Sequence, residues 1–242
     1  MKTYSEVKLA QELIRFPTVK TEDKGIMRYL SKKLNAIGFK CTIIKSKGTG
    51  SKPALNLYAR FEKSKPHINF LGHTDVVANL NNWKIPPFKA VVRKGYLNGR
   101  GSQDMKGGVA CWISAVSNFI KNKEFKGSIS IIITADEETT GYGCPAVMKY
   151  LRKKGEKIDF SIVGEPSSNK SVGDEIRIGR RGSMNGIVTV YGKSGHSAFA
   201  GSYINPCTAL AKIIAKLKST SLDIGTKFIP PSNLEFTKNE RR

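Results

Sequence analysis

Ile131-Ile132-Ile133-Thr134-Ala135-Asp136-Glu137-Glu138 reads as a buried strand that runs straight into adjacent carboxylates. A short apolar run closed by a polar turn suits the interior of a sheet covered on both sides. Open α/β sheets gather their ligands at the carboxyl ends of their strands, so the position of Glu137 and Glu138 is as informative as their charge. Other segments share the design. His67 to Leu71 is a strand candidate ending at Gly72-His73-Thr74-Asp75, and Asp159 to Val163 ends at Gly164-Glu165-Pro166. Asp104 stands just ahead of the glycine-containing helix candidate Met105 to Asn122.

The flanking chain alternates between helix and strand patterns. Ser5 to Phe16 spaces Val7, Ala10, Leu13 and Ile14 for one helical face, and Thr21 to Gly38 repeats this with Ile26, Tyr29, Leu30, Leu34 and Ile37 before a glycine stop. Cys41 to Ile44, Leu55 to Phe61 and Ser128 to Thr134 read as short buried strands, and Cys144 to Lys154 as a further helix. This order predicts an α/β fold, an open mixed sheet with helices on both faces. Beyond Ser167 the character changes: a polar tract, strand candidates at Glu175 to Ile178 and Met184 to Tyr191, and an amphipathic helix from Asn205 to Leu217. A boundary near Ile178 divides the chain into 1–178 and 179–242, and the second part is too short for a substantial core of its own.

Composition narrows the function classes. With 39% hydrophobic residues and no run near the ~18 apolar residues of a spanning helix, the 242-residue chain is expected to be globular, cytoplasmic and without a membrane partner. Cys41, Cys111, Cys144 and Cys207 lie far apart with no C-x-x-C pair, which argues against a disulfide framework or a cysteine zinc site and for buried or half-buried thiols. The net charge of +22 invites a nucleic-acid reading, yet the lysines are scattered, with no basic block interleaved with stacking aromatics. A solvated basic surface that draws in a small anionic substrate is the favoured reading, and a nucleic-acid partner is not expected.

The residue types at the strand ends point to metal-assisted hydrolysis. His73 offers an imidazole, and Asp75, two residues on, can hold its other nitrogen and fix the tautomer. A carboxylate at Asp104 can bridge two ions, Glu137 and Glu138 can divide labour between metal and water, and Glu165 adds a further oxygen. Zinc accepts such nitrogen and oxygen ligands in catalytic sites. His67, at the start of its strand, is assigned no role.

Gly72-His73-Thr74-Asp75-Val76-Val77, Gly99-Arg100-Gly101-Ser102-Gln103-Asp104-Met105-Lys106-Gly107-Gly108, Thr134-Ala135-Asp136-Glu137-Glu138 and Gly164-Glu165-Pro166-Ser167 resemble the signature segments of the zinc aminoacylase and carboxypeptidase family. Gly173 to Ser183 and Phe228 to Ser232 most resemble its desuccinylase branch, which acts on succinylated diaminopimelate in bacterial lysine and diaminopimelate biosynthesis. The resemblance implies a zinc-peptidase-like catalytic domain plus a lid and dimerisation domain, and hence a homodimer. It implies that His73 and Glu165 hold one zinc, that Asp104 bridges to a second, and that Glu138 belongs to that second ion; cobalt is an alternative metal. It makes Glu137 the general base that takes a proton from the attacking water and passes it to the departing amine. His196, in Ser194-Gly195-His196-Ser197-Ala198, matches a histidine that family members send across a dimer interface to the oxyanion. Arg180 or Arg181 is a candidate clamp for a substrate carboxylate, with pairing to acidic neighbours on a surface strand as the competing reading.

The sequence also departs from the family. The histidine that would complete the second zinc site has no counterpart among His67, His73 and His196. The terminal Thr237-Lys238-Asn239-Glu240-Arg241-Arg242 lacks an apolar strand pattern, and Phe199-Ala200-Gly201-Ser202-Tyr203 differs from the usual tyrosine-proline-histidine version. The expectation is a C-terminally truncated member with an incomplete lid domain, one complete zinc site and weakened catalysis. A hydrolase for acetylornithine or another acyl-amino acid, and a non-catalytic metal-binding remnant, are the alternatives.

Overall fold

The computed structural model describes residues 2–78, 81–122 and 124–237, and the chain divides into two units, 1–167 and 168–242. The last five residues of the terminal segment singled out above lie outside the described residues.

In the first unit the elements follow in the order α1 (Glu6–Ile14), α2 (Ile26–Asn35), β1 (Lys40–Ser46), β2 (Ala54–Phe61), β3 (His67–His73), β4 (Val91–Arg93), β5 (Tyr96–Asn98), α3 (Lys106–Asn122), β6 (Ser128–Thr134), α4 (Gly143–Lys153) and β7 (Phe160–Val163). Five strands form one sheet in the order β1-β2-β6-β3-β7. β1 with β2 and β2 with β6 are antiparallel, whereas β3 is parallel to both β6 and β7. The mixed sheet expected from the sequence is therefore present.

Alternation along the strands shows how both faces are covered. Leu57 and Ala59 of β2 and Ile129, Ile131 and Ile133 of β6 pack with Leu9, Leu13, Ile26, Leu30, Val109 and Ile113 of the first three helices. The intervening Tyr58 and Ile132 point the other way, against Val147 and Leu151 of α4. Because side chains alternate with a period of two, this division puts α1, α2 and α3 on one face and α4 on the other. Every residue of β6 is buried, as a strand covered on both sides requires. Burial of each leucine or isoleucine of this core contributes about 1.5–3 kcal/mol.

Several boundaries differ from the sequence reading for physical reasons. The second helix starts at Ile26, not Thr21, because Lys24 and Gly25 adopt positive φ and the Asp23 carboxylate accepts the backbone N–H groups of Gly25 and Met27. A β4–β5 hairpin turns through Lys94 and Gly95, both at positive φ. β7, the further strand expected at Asp159 to Val163, forms at a sheet edge with its four residues exposed.

Among its described residues the second unit holds one helix, α5 (Pro206–Lys218), with the Asn205 side chain accepting N–H bonds from Cys207 and Thr208 and proline at its first position. The strands expected at 175–178 and 184–191 do not form: no described residue pairs with either segment, and an extended chain without a partner leaves its backbone groups to solvent. One isolated bridge joins Lys193 and Ile204. The cysteines are free; Cys41 and Cys144 are half-buried, but Cys111 and Cys207 are exposed, contrary to the expectation for those two. Among the described residues, no helix is long and apolar enough to cross a membrane.

Candidate metal centre

β3, β6 and β7 run parallel, so their carboxyl ends open on one edge, and α3 starts against the same edge. Glycines set that approach. A Cβ at Gly72 would lie 2.7 Å from the Met105 methyl, one at Gly108 would lie 2.9 Å from the Gly164 carbonyl, and one at Gly164 would enter the Phe70 ring. These glycines let the helix start sit close to the ends of β3 and β7.

His73 ends β3 and is 1% exposed. Its Nδ1 lies 3.0 Å from the Asp75 carbonyl oxygen and 3.4 Å from Asp75 Oδ1. Both are acceptors, so Nδ1 carries the proton and Nε2 is the atom offered to the cleft. Nε2 lies 2.9 Å from Asp104 Oδ1, 3.5 Å from Glu165 Oε1 and 3.9 Å from Glu137 Oε2. Burial pulls the imidazole pKa down, but the Asp75 carboxylate, joined by Glu165 and Glu137, raises it to about 9. Without a metal the ring is an imidazolium held by carboxylates.

Among the described residues, donor atoms gather in two trios that share His73, one with Asp104 and Glu138 and one with Glu137 and Glu165, each within 4.8 Å. Asp104 and Glu165, expected to serve one ion with His73, fall in different trios. Burial, followed by the nearby Asp104 charge, raises the Glu138 pKa. An imidazole nitrogen among hard oxygens, with like charges crowded together, fits a divalent cation.

The supporting contacts go beyond what the sequence disclosed. The Asp75 carboxylate accepts the backbone N–H of Glu137 at 3.1 Å and of Glu138 at 2.9 Å, so one buried side chain steadies both the imidazole and the paired glutamates. Asp136, fully buried, accepts from the Thr140 hydroxyl at 2.7 Å and from the Gly143 N–H at 2.9 Å, tying the loop after β6 to the start of α4. A Cβ at Gly143 would sit 2.4 Å from Asp136 Oδ1, which explains the glycine. Lys106, at the start of α3, is also fully buried; burial, opposed by the Asp75 charge, lowers its pKa to about 7. Its register was the available signal, because Lys106, Val109, Ala110 and Ile113 follow the spacing of one helical face.

His67, assigned no role from the sequence, is 1% exposed and hydrogen-bonded at both ring nitrogens, to the Lys157 carbonyl and the Ser130 hydroxyl at 2.7 Å each. Arg180, Arg181 and His196 lie in the second unit, all exposed, and His196 Nδ1 accepts the Ala198 N–H at 3.1 Å.

A profile of peptidase family M20/M25/M40 matches residues 70–239. The chain belongs to this family. The M20 relatives include succinyl-diaminopimelate desuccinylase of Pelagibacter ubique, 48% identical over 98% of this chain and 63% of its own length. The enzyme of the same name from Wolbachia pipientis wMel is 42% identical over 96% of the chain and 58% of its own. The chain thus spans about three fifths of the length of the curated relatives it matches. Among solved structures, a Staphylococcus aureus tripeptidase superimposes with TM-score 0.62 at 18% identity, over 88% of this chain and 56% of its own. Human carnosine dipeptidase 1 does so with TM-score 0.58 at 20% identity, over 65% and 37%. These likenesses establish the M20 fold.

Proposed function

We propose that this M20 chain carries the metal-holding part of a zinc-dependent amide hydrolase that converts N-succinyl-LL-2,6-diaminopimelate and water into succinate and LL-2,6-diaminopimelate, a step of lysine and diaminopimelate biosynthesis. The observation that carries this reading is the convergence of Asp104, Glu137, Glu138 and Glu165 on His73 Nε2 at the strand ends. The relatives' desuccinylase names favour the substrate.

His73, with Asp104, Glu138 and Glu165, would hold the metal, leaving the adjacent Glu137 carboxylate for proton transfer. Zinc, or cobalt in its place, supplies Lewis-acid polarisation of the succinyl amide carbonyl and makes water more acidic. Glu137, its side chain 46% exposed, is free to face both substrate and solvent. Its carboxylate takes the proton of the attacking water and delivers it to the departing amine nitrogen. Asp75 keeps the His73 tautomer fixed and anchors the Glu137 and Glu138 backbone during both transfers. Residues 179–242 would belong to a lid and dimerisation domain of a cytoplasmic homodimer, from which His196 reaches across the dimer interface to steady the oxyanion and Arg180 or Arg181 holds a substrate carboxylate.

Zinc-loaded chain incubated with N-succinyl-LL-diaminopimelate and, separately, N-acetylornithine separates the readings. Faster release of succinate than of acetate, abolished by a chelator, is expected. Faster acetate release would reassign the substrate to the acetylornithine class, and zinc binding without turnover of either would identify a non-catalytic remnant.

A further inference from the structure

Lysine is a costly residue to bury, and Lys106 is fully buried at the first position of α3. Its Nζ donates to the Phe16 carbonyl at 2.7 Å. Two residues after Phe16, the Thr18 hydroxyl donates to the Thr74 carbonyl at 2.5 Å, and the Val76 N–H returns to the Thr18 carbonyl at 3.0 Å. Thr74 lies between His73 and Asp75, whereas Lys106 is two residues beyond Asp104. A hydrogen-bonded bridge therefore runs from the carrier of Asp104, through Lys106, Phe16 and Thr18, to the carrier of His73. Gly101 seats it: a Cβ there would lie 3.1 Å from Val76 Cγ1 and 3.2 Å from Lys106 Cδ.

We propose that Lys106 is a positioning residue for the metal centre, fixing the spacing between the His73 and Asp104 segments through the Phe16–Thr18 loop. The proposal rests on the metal-hydrolase reading and deepens it. An apolar side chain of similar length fills the volume but cannot hold the Phe16 carbonyl. The His73 and Asp104 segments then lose their common anchor, and the ligands lose spacing before the fold loses its core.

The test is titration of the chain and its Lys106→Met variant with Co2+ alone, followed by calorimetry and by the visible absorption of the bound ion, which reports coordination geometry. Ile113→Ala, a core truncation on the same helix, is the control for general loss of stability. Lys106→Met is expected to weaken Co2+ binding by roughly 10–100-fold, the range typical of residues that orient metal ligands, and to change the visible spectrum. Ile113→Ala is expected to lower the melting temperature with affinity and spectrum unchanged. Wild-type affinity and spectrum in folded Lys106→Met overturn the positioning role while leaving the hydrolase reading intact; absence of Co2+ binding by the parent chain overturns both. Should Lys106→Met not fold, Thr18→Val cuts the same bridge at its other end. It is expected to weaken binding in the same sense, and unchanged binding overturns the proposal.

Discussion

Replacement of His73 by alanine is expected to abolish zinc binding, with affinity falling by more than about 100-fold, beyond the usual effect of losing a residue that only orients a ligand. His73 is common to both donor trios, so no arrangement of the remaining carboxylates keeps the nitrogen ligand. The four acidic side chains around it would also lose the imidazole that offsets their repulsion. Isothermal titration with zinc, beside circular dichroism to confirm the fold, gives the answer. Retention of zinc at parental affinity would place the metal elsewhere.

Asp75→Asn is expected to weaken zinc binding by about 10–100-fold and to change its pH dependence. In the parent chain the metal must displace a proton from an imidazole whose pKa is raised to about 9. Affinity should therefore climb roughly tenfold per pH unit as pH rises toward that value and then level off. The sign for stability is opposite. His73 has a folded-state pKa above its ordinary 6.5, so in the metal-free chain its stabilisation is complete below 6.5 and is lost as pH rises through about 9. Asparagine removes the negative charge that raises the imidazole, and its NH2 confronts a backbone N–H of Glu137 or Glu138 that Asp75 now accepts. Each N–H left without an acceptor costs about 1–3 kcal/mol. The variant should bind less metal but level off at lower pH. An unchanged plateau in zinc titrations from pH 5.5 to 9.5 would show that Asp75 does not set the imidazole.

The strand ends were legible because burial leaves a local trace. β6 carries the apolar run Ile131 to Ile133 into the carboxylates that follow it, and its bounds match the expectation, Ser128 to Thr134. His73, Glu137, Glu138 and Glu165 stand at or just beyond strand ends and Asp104 just ahead of α3, and the fold brings them together. The dual role of Asp75 was only half legible, since its hold on His73 is local but its bonds to Glu137 and Glu138 span more than sixty residues. Lys106 was missed because charge normally marks an exposed position, although its register places it on the buried face of α3. In the second unit the apolar and β-branched residues of 184–191 suggested a strand, but strand formation depends on a partner that no local pattern reveals.

Anomalous diffraction from crystals grown with zinc is the most direct test for a divalent cation cradled at the carboxyl ends of β3, β6 and β7. A peak at bonding distance, about 2.0–2.2 Å, from His73 Nε2 and from carboxylate oxygens drawn from Asp104, Glu138 and Glu165 is the expected result. A zinc peak held by other residues, with none beside His73, would contradict it.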